Sequence, residues 1–132
     1  MKGRATYLDS SALVKLVVPE PESVALRRYV RRREPLVTSA LSRTEVARAL
    51  LPLGVAAVDR GMQMLSLIEV IRINDRILGT AGTLLPEELR SLDAIHIATA
   101  QLLGEDLARI VSYDERMLEA AAVLGLPVAA PS

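Results

Sequence analysis

Apolar and polar positions alternate along the chain in two different rhythms. Ala5 to Leu8 is a short apolar run that stops abruptly at Asp9, which predicts a buried strand. Ser10 and Ser11 then open a helix over Ala12 to Val18, closed by Pro19 and Pro21. Ser23 is placed to cap a second helix, with Leu26, Tyr29 and Val30 on one face and Pro35 beyond its end. Leu36 to Thr38 predicts a second strand. Ser39 to Leu53 follows as a helix, with Val46, Ala49 and Leu50 turned inward and Pro52 and Gly54 ending it. Val55 to Leu67 continues as helix, Glu69 to Ile73 alternates as a third strand, and Asp75 to Ala81 is helical despite Gly79 and Gly82. Ser91 is placed to cap a helix over Leu92 to Leu103, in which Ile95, Ala98, Thr99 and Leu102 recur at helical spacing. Arg109 to Val111 is a strand, Asp114 begins a helix over Glu115 to Leu124 that Gly125 terminates, and Val128 and Ala129 make a last edge strand. Strands alternating with helices imply an α/β fold whose parallel sheet is covered on both faces.

The 132 residues suit one domain over the whole length, without internal repeat or linker. There is no Phe, Trp or Cys, so the core is aliphatic apart from tyrosine. Base stacking on rows of Phe and Trp is excluded as a mode of nucleic-acid binding. Disulfides, thiolate catalysis and cysteine-ligated zinc are excluded too. Met1 to Thr6 is too short and polar for a signal peptide, and no apolar run approaches a membrane span, which predicts a cytoplasmic protein. Sixteen basic and sixteen acidic residues cancel, but nearly all the basic ones are arginine, whose planar fork suits phosphate.

Four acids stand out by position. Asp9 and Asp114 directly follow strands, Glu45 lies early in the helix after the second strand, and Asp93 lies in the first turn of its helix. In a parallel α/β sheet, strand carboxyl ends and helix amino ends share one edge, where ligands bind. Each acid alone also has a purely structural explanation. Asp9 and Asp114 suit N-caps, Ser42-Arg43-Thr44-Glu45 matches a capping box, and Asp93 favours the helix dipole. The joint pattern points further. Magnesium and manganese take oxygen ligands, and clustered carboxylates repel one another until a cation joins them. Such an ion polarises a phosphate and acidifies a water that attacks it in line.

The motifs resemble a known family. Tyr7-Leu8-Asp9-Ser10-Ser11-Ala12-Leu13-Val14-Lys15-Leu16 is similar to the opening of PIN-domain toxins of the VapC kind. Thr44-Glu45-Val46, Leu92-Asp93-Ala94-Ile95-His96-Ile97-Ala98-Thr99-Ala100 and Ser112-Tyr113-Asp114-Glu115-Arg116-Met117 resemble its later acidic motifs, in order, over almost the whole chain. The resemblance implies a three-layer α/β/α fold around a mainly parallel sheet of four to five strands. It implies a magnesium- or manganese-dependent endoribonuclease that leaves 5′-phosphate and 3′-hydroxyl ends and acts as the toxin of a type II toxin–antitoxin pair. A homodimer and a small VapB-type antitoxin follow from the same resemblance. Carried over motif by motif, Asp9, Glu45, Asp93 and Asp114 form the acidic quartet that holds metal, with Asp9 and Asp93 at the main ion. Ser11 and Ser112 orient carboxylates or metal-bound water from behind.

Other features bear on the chemistry. Arg27, Arg28, Arg31, Arg32 and Arg33 form a basic cluster that is either an RNA grip or a solvated face. Arg43, Arg48 and Arg116 flank the acids as phosphate contacts or as their ion-pair partners. His96, one turn beyond Asp93, is either a general acid or, more in keeping with helix histidines, a packed and hydrogen-bonded one. Lys15 reads as a surface lysine. The Met62 to Ile68 stretch is mostly core, with room for a groove that meets a partner. Gly79-Thr80-Ala81-Gly82 lacks the length and lysine of a phosphate loop. Three rivals differ in their acids. A response-regulator receiver domain needs paired acids after the first strand and a late lysine, and a haloacid-dehalogenase phosphatase needs an acid where Ser11 stands. A PIN module that binds RNA without cutting it would not need the full quartet.

Overall fold

The computed structural model describes residues 3–132; the reading of Met1 and Lys2 as part of a polar start lies outside them. Five short strands form one sheet: β1 (Ala5–Leu8), β2 (Leu36–Ser39), β3 (Glu69–Ile71), β4 (Leu107–Val111) and β5 (Val128–Ala129). Their order is β3-β2-β1-β4-β5, and every neighbouring pair is parallel. The chain builds outward from β1 to one side, then returns to lay β4 against its other edge. The carboxyl ends of β1 and β4 therefore flank the switch point at which such sheets open a crevice.

The helices are α1 (Ser10–Val17), α2 (Ser23–Val30), α3 (Leu41–Leu50), α4 (Val55–Leu65), α5 (Asp75–Gly82), α6 (Ser91–Leu102) and α7 (Glu115–Val123). They enclose the sheet as two outer layers, and strand alternation sends neighbouring side chains to opposite faces. Leu8 and Val111 pack with Leu13, Leu26, Val46, Leu50 and Leu65 on the side of α1 to α4. Ala5, Tyr7 and Ile110 pack with Ile97, Met117 and Ala121 on the side of α6 and α7. None of the described helices is long and apolar enough to cross a membrane.

Several boundaries differ from those the pattern predicts, each for a local reason. Ser23 is the first residue of α2 and not its cap; its hydroxyl donates to the Val18 carbonyl and accepts from the Glu20 amide, folding the Pro19–Pro21 turn back on itself. Ser91 likewise begins α6, and Arg90 occupies the cap position without a side-chain cap bond. Ser42 is not the head of a capping box. It sits buried inside α3, bonded at 2.7 Å to the Thr38 hydroxyl, which itself donates to the Leu8 carbonyl at 2.6 Å. Ala49 is exposed, because the inward stripe of α3 runs through Ser42, Val46 and Leu50. Pro52 turns the end of α3 into a single 3-10 turn, and Gly54 starts α4 at φ 101°, a conformation that glycine adopts without strain.

Gly61 allows α3 and α4 to touch. A Cβ added there would lie 2.5 Å from Leu50 Cδ1 and 3.1 Å from Val46 Cγ1. Both partners are fully buried, so neither has space to retreat. Gly61→Val is expected to destabilise the protein by about 1–3 kcal/mol. Urea unfolding would show this as a lower midpoint at unchanged slope.

Candidate active site

Asp9 follows the last residue of β1, where the strand's alternation ends and α1 begins. Its backbone is extended and its carboxylate caps the helix: Oδ1 accepts from the Ala12 amide at 3.0 Å and from the Ser11 hydroxyl at 2.6 Å. Oδ2 accepts from the Ser112 hydroxyl at 2.6 Å. The side chain is 3% exposed. Burial raises its pKa, and the bonds from Ser11, Ser112 and Ala12 work against that rise without cancelling it.

The β4–α7 junction is tied to Asp9 through these serines. Ser112 Oγ, besides donating to Asp9, accepts from the Asp114 amide at 3.1 Å, and Ser11 Oγ accepts from the Tyr113 amide at 3.0 Å. Asp114 Oδ1 caps α7 through the Arg116 and Met117 amides. The capping explanation of Asp9 and Asp114 is thus correct for both, yet each keeps an oxygen for other work. Asp9 Oδ2 meets Ser112, and Asp114 Oδ2 accepts from Arg90 Nη2 at 2.6 Å. Arg90 Nε also donates to Asp93 Oδ2 at 3.0 Å, so one guanidinium bridges two acids from different helices.

Glu45 comes from the far wall. Its Oε1 accepts from His96 Nε2 at 2.6 Å, and His96 Nδ1 lies 2.7 Å from the Tyr7 hydroxyl. When Nε2–H donates to the carboxylate, Nδ1 is the acceptor for the Tyr7 hydroxyl. The histidine is 2% exposed and has both nitrogens engaged, which favours the packed reading over that of a general acid. Burial, more than the nearby carboxylates, pushes the Tyr7 phenol well above its ordinary pKa and keeps it a donor.

These pieces enclose one cavity of about 350 Å³, lined by Asp9, Ser11, Glu45, Asp93, His96 and Asp114, with Arg90 at its mouth. All four acids singled out in the sequence meet there, Ser11 with them and Ser112 behind Asp9. Among the described residues no three acidic or histidine side chains close around a single point as they stand; Arg90 holds Asp93 and Asp114, and His96 holds Glu45. The donor set itself fits a hard divalent cation: carboxylate oxygens only, in a site whose acids outnumber its cations. Lys15 does not reach the cavity; it pairs with Glu20 and Glu22 and lies 4.9 Å from the Tyr113 ring centroid. Arg43, Arg48 and Arg116 are exposed, line no part of this cavity and, among the described residues, form no ion pair with the four acids, so of their two expected roles the ion-pair one is not seen. Arg90 is the residue that sequence reasoning missed. Its spacing of three from Asp93 at a helix start was the available signal.

The PIN domain family model matches residues 6–123. Ribonuclease VapC46 of Mycobacterium tuberculosis is 59% identical over 128 residues, covering 97% of this chain and 98% of that protein. The crystal structure of Mycobacterium tuberculosis VapC20, a sarcin-ricin loop cleaving toxin, superposes with a TM-score of 0.76 at 16% identity, covering 96% of this chain and 99% of that one. A toxin–antitoxin complex from Klebsiella pneumoniae superposes at 0.74 with 23% identity, over 96% of this chain and 98% of its own.

Asp9→Asn separates the cost of the buried charge from its use. Because burial raises the folded pKa of Asp9, its contribution to stability is fully present below the unfolded value and is lost as pH rises through the folded one. In EDTA, Asp9→Asn is expected to melt higher than the native protein at pH 7.5, with the difference disappearing near pH 4. Calorimetry across that range checks it.

Proposed function

From the premise that the chain belongs to the PIN-domain family, as a VapC-type metal-dependent endoribonuclease, we propose that Asp9, Glu45, Asp93 and Asp114 are the acids that hold its Mg²⁺ or Mn²⁺. The observation that carries this reading is their shared cavity at the carboxyl edge of β1 and β4. PIN domains use divalent ions, and the bound ion supplies positive charge against the scissile phosphate and a water acidic enough to attack it. Asp9 and Asp93 are the main ligands, with Glu45 and Asp114 beside them.

The chain's own groups do the positioning. Ser11 and Ser112 hold the Asp9 carboxylate from two directions, so its orientation is set before any ligand arrives. His96 fixes Glu45, and Tyr7 fixes the tautomer of His96. Arg90 holds Asp93 and Asp114 close in spite of their like charge. Nothing in this set requires the ribose 2′-hydroxyl as nucleophile, so the choice of RNA rests on contacts away from the cut.

The activity is that of the toxin in a toxin–antitoxin pair, and a VapB-type antitoxin is the partner that neutralises it. Leu53 and Val55 at the start of α4 are 61% and 72% exposed, and Leu67 beyond its other end is 87% exposed; these are apolar side chains suited to that partner or to a second copy in a homodimer.

Asp9→Asn and Asp93→Asn should each abolish cleavage while circular dichroism stays native. Ser112→Ala, which removes a support and not a ligand, should cost about 10–100-fold. Mapping RNA 5′ ends after brief induction, native protein against Asp9→Asn, reads both activity and substrate. Equal cleavage by the native protein and both aspartate variants would remove these acids from the mechanism. Magnesium at about 100 times its Kd should add about 2.7 kcal/mol to the stability of the folded form. An unchanged melting curve together with no heat on titration would contradict the metal site.

A further inference from the structure

At the opposite end of β1 from Asp9 lies a second polar cavity, about 260 Å³ in volume, lined by Gly3, Arg4, Arg32, Arg33, Glu34 and Arg109. Its arginines come from three parts of the chain that sheet pairing brings together: the approach to β1, the loop from α2 to β2, and β4. Thr6 on β1 sits in register with Leu36 on one side and Arg109 on the other.

Two guanidinium groups are fixed there. Arg33 Nη1 donates to the Tyr29 carbonyl at 2.6 Å, and its guanidinium carbon lies 3.9 Å from the Tyr29 ring centroid. Arg109 Nη1 donates to the Thr6 hydroxyl at 2.5 Å, and its guanidinium carbon lies 6.0 Å from the same ring. The fully buried Thr6 hydroxyl donates in turn to the Arg33 carbonyl at 2.8 Å, which clamps loop to strand. Among the described residues neither Arg33 nor Arg109 forms an ion pair with a carboxylate, and Glu34 on the rim pairs with neither. Two partly buried like charges beside one ring repel each other unless an anion sits between them. Each spends one of its five N–H donors on the bond just described.

We propose that this cavity binds phosphate and that its occupant is the backbone of the RNA, held at a distance from the cut. The basic charge favours a polymer over a single anion, since Arg27 and Arg28 stand exposed on the last turn of α2 and Arg31 just beyond it, in the segment that leads to Arg32 and Arg33. In a chain of zero formal net charge this is a local concentration at the other end of β1 from Asp9; of the acids near it, Glu34 is exposed on the rim, and Glu105 and Asp106 meet Gly3 and Arg4 through the backbone. Arg109 pairs with Thr6, three residues before Asp9, so the two cavities are separated by roughly 10 Å of strand. An RNA several nucleotides long engages both, and a dinucleotide does not. The proposal rests on the ribonuclease reading.

The test is fluorescence anisotropy of a labelled RNA hairpin with the full chain in EDTA, where cleavage is off, over a range of KCl. Arg32→Gln, Arg33→Gln and Arg109→Gln are each expected to weaken binding by about 5-fold and to lower the slope of log Kd against log salt by about 1. Arg33→Lys and Arg109→Lys should recover part of both. Arg32 is exposed, so its variant keeps the native melting temperature and remains informative if the other two unfold. Native affinity and salt slope in Arg32→Gln and Arg109→Gln would overturn the proposal and leave the active-site reading intact. Calorimetric titration with inorganic phosphate gives a second arm: saturable heat that Arg109→Gln removes, with RNA affinity unchanged, assigns the site to a free anion and overturns the proposal. Loss of antitoxin binding alone would make it a protein interface, with the same consequence. A native protein that fails to bind the hairpin at all would count against the ribonuclease reading itself.

Discussion

A single buried carboxylate joins the parts of this protein that matter for its chemistry. Asp9 ends β1, caps α1, and takes hydrogen bonds from Ser11 and Ser112, which in turn hold the amides of Tyr113 and Asp114. The bonds cross the junction between the first strand and the strand that returns beside it. An unpaired charge at that depth would be strongly unfavourable; here three donors share it, and the remaining desolvation appears as a raised pKa. In the proposed reading a cation that joins the group relieves the same strain, so that stability and function would oppose each other at Asp9, as is common where active sites are built from clustered charge.

Around that point the fold distributes opposite charges to opposite ends of one short strand. The carboxyl end of β1 gathers acids, and the amino end gathers arginines. Parallel pairing makes this possible, because helix starts and strand ends from distant parts of the chain arrive at one edge. A neutral total charge then conceals two strongly polar sites. In the proposed reading a polyanion meets attraction at one end and a need for metal at the other, so that salt and divalent ion would act on different steps of its binding.

The buried polar groups are arranged in lines that leave few alternatives. Tyr7, His96 and Glu45 form one line across the sheet, and Leu8, Thr38 and Ser42 form another. No described buried side-chain nitrogen or oxygen is left without a partner. With aliphatic packing on both faces, these lines give the sheet a defined register relative to α3 and α6, which shape alone would specify less well.

Periodicity and punctuation in the sequence marked the strands and helices to within a few residues, since both are local: side-chain alternation, Pro and Gly stops, and an apolar run ending at an acid. The motif order singled out the four acids, and their positions at strand ends and in the opening turns of helices made a common edge a consequence of parallel topology. What the sequence left open was every long-range pairing. Ser42 turned toward Thr38 instead of capping, and Ala49 faced outward because the buried stripe is set by α4. Arg90 joined acids 3 and 24 residues away, while the side chains of Arg43, Arg48 and Arg116 line no part of their cavity. Arg33 and Arg109 met over one tyrosine because Thr6 lies between their segments. Local chemistry decides which element a residue joins; only packing decides which distant group it faces, because that depends on surfaces that do not exist until the sheet has closed.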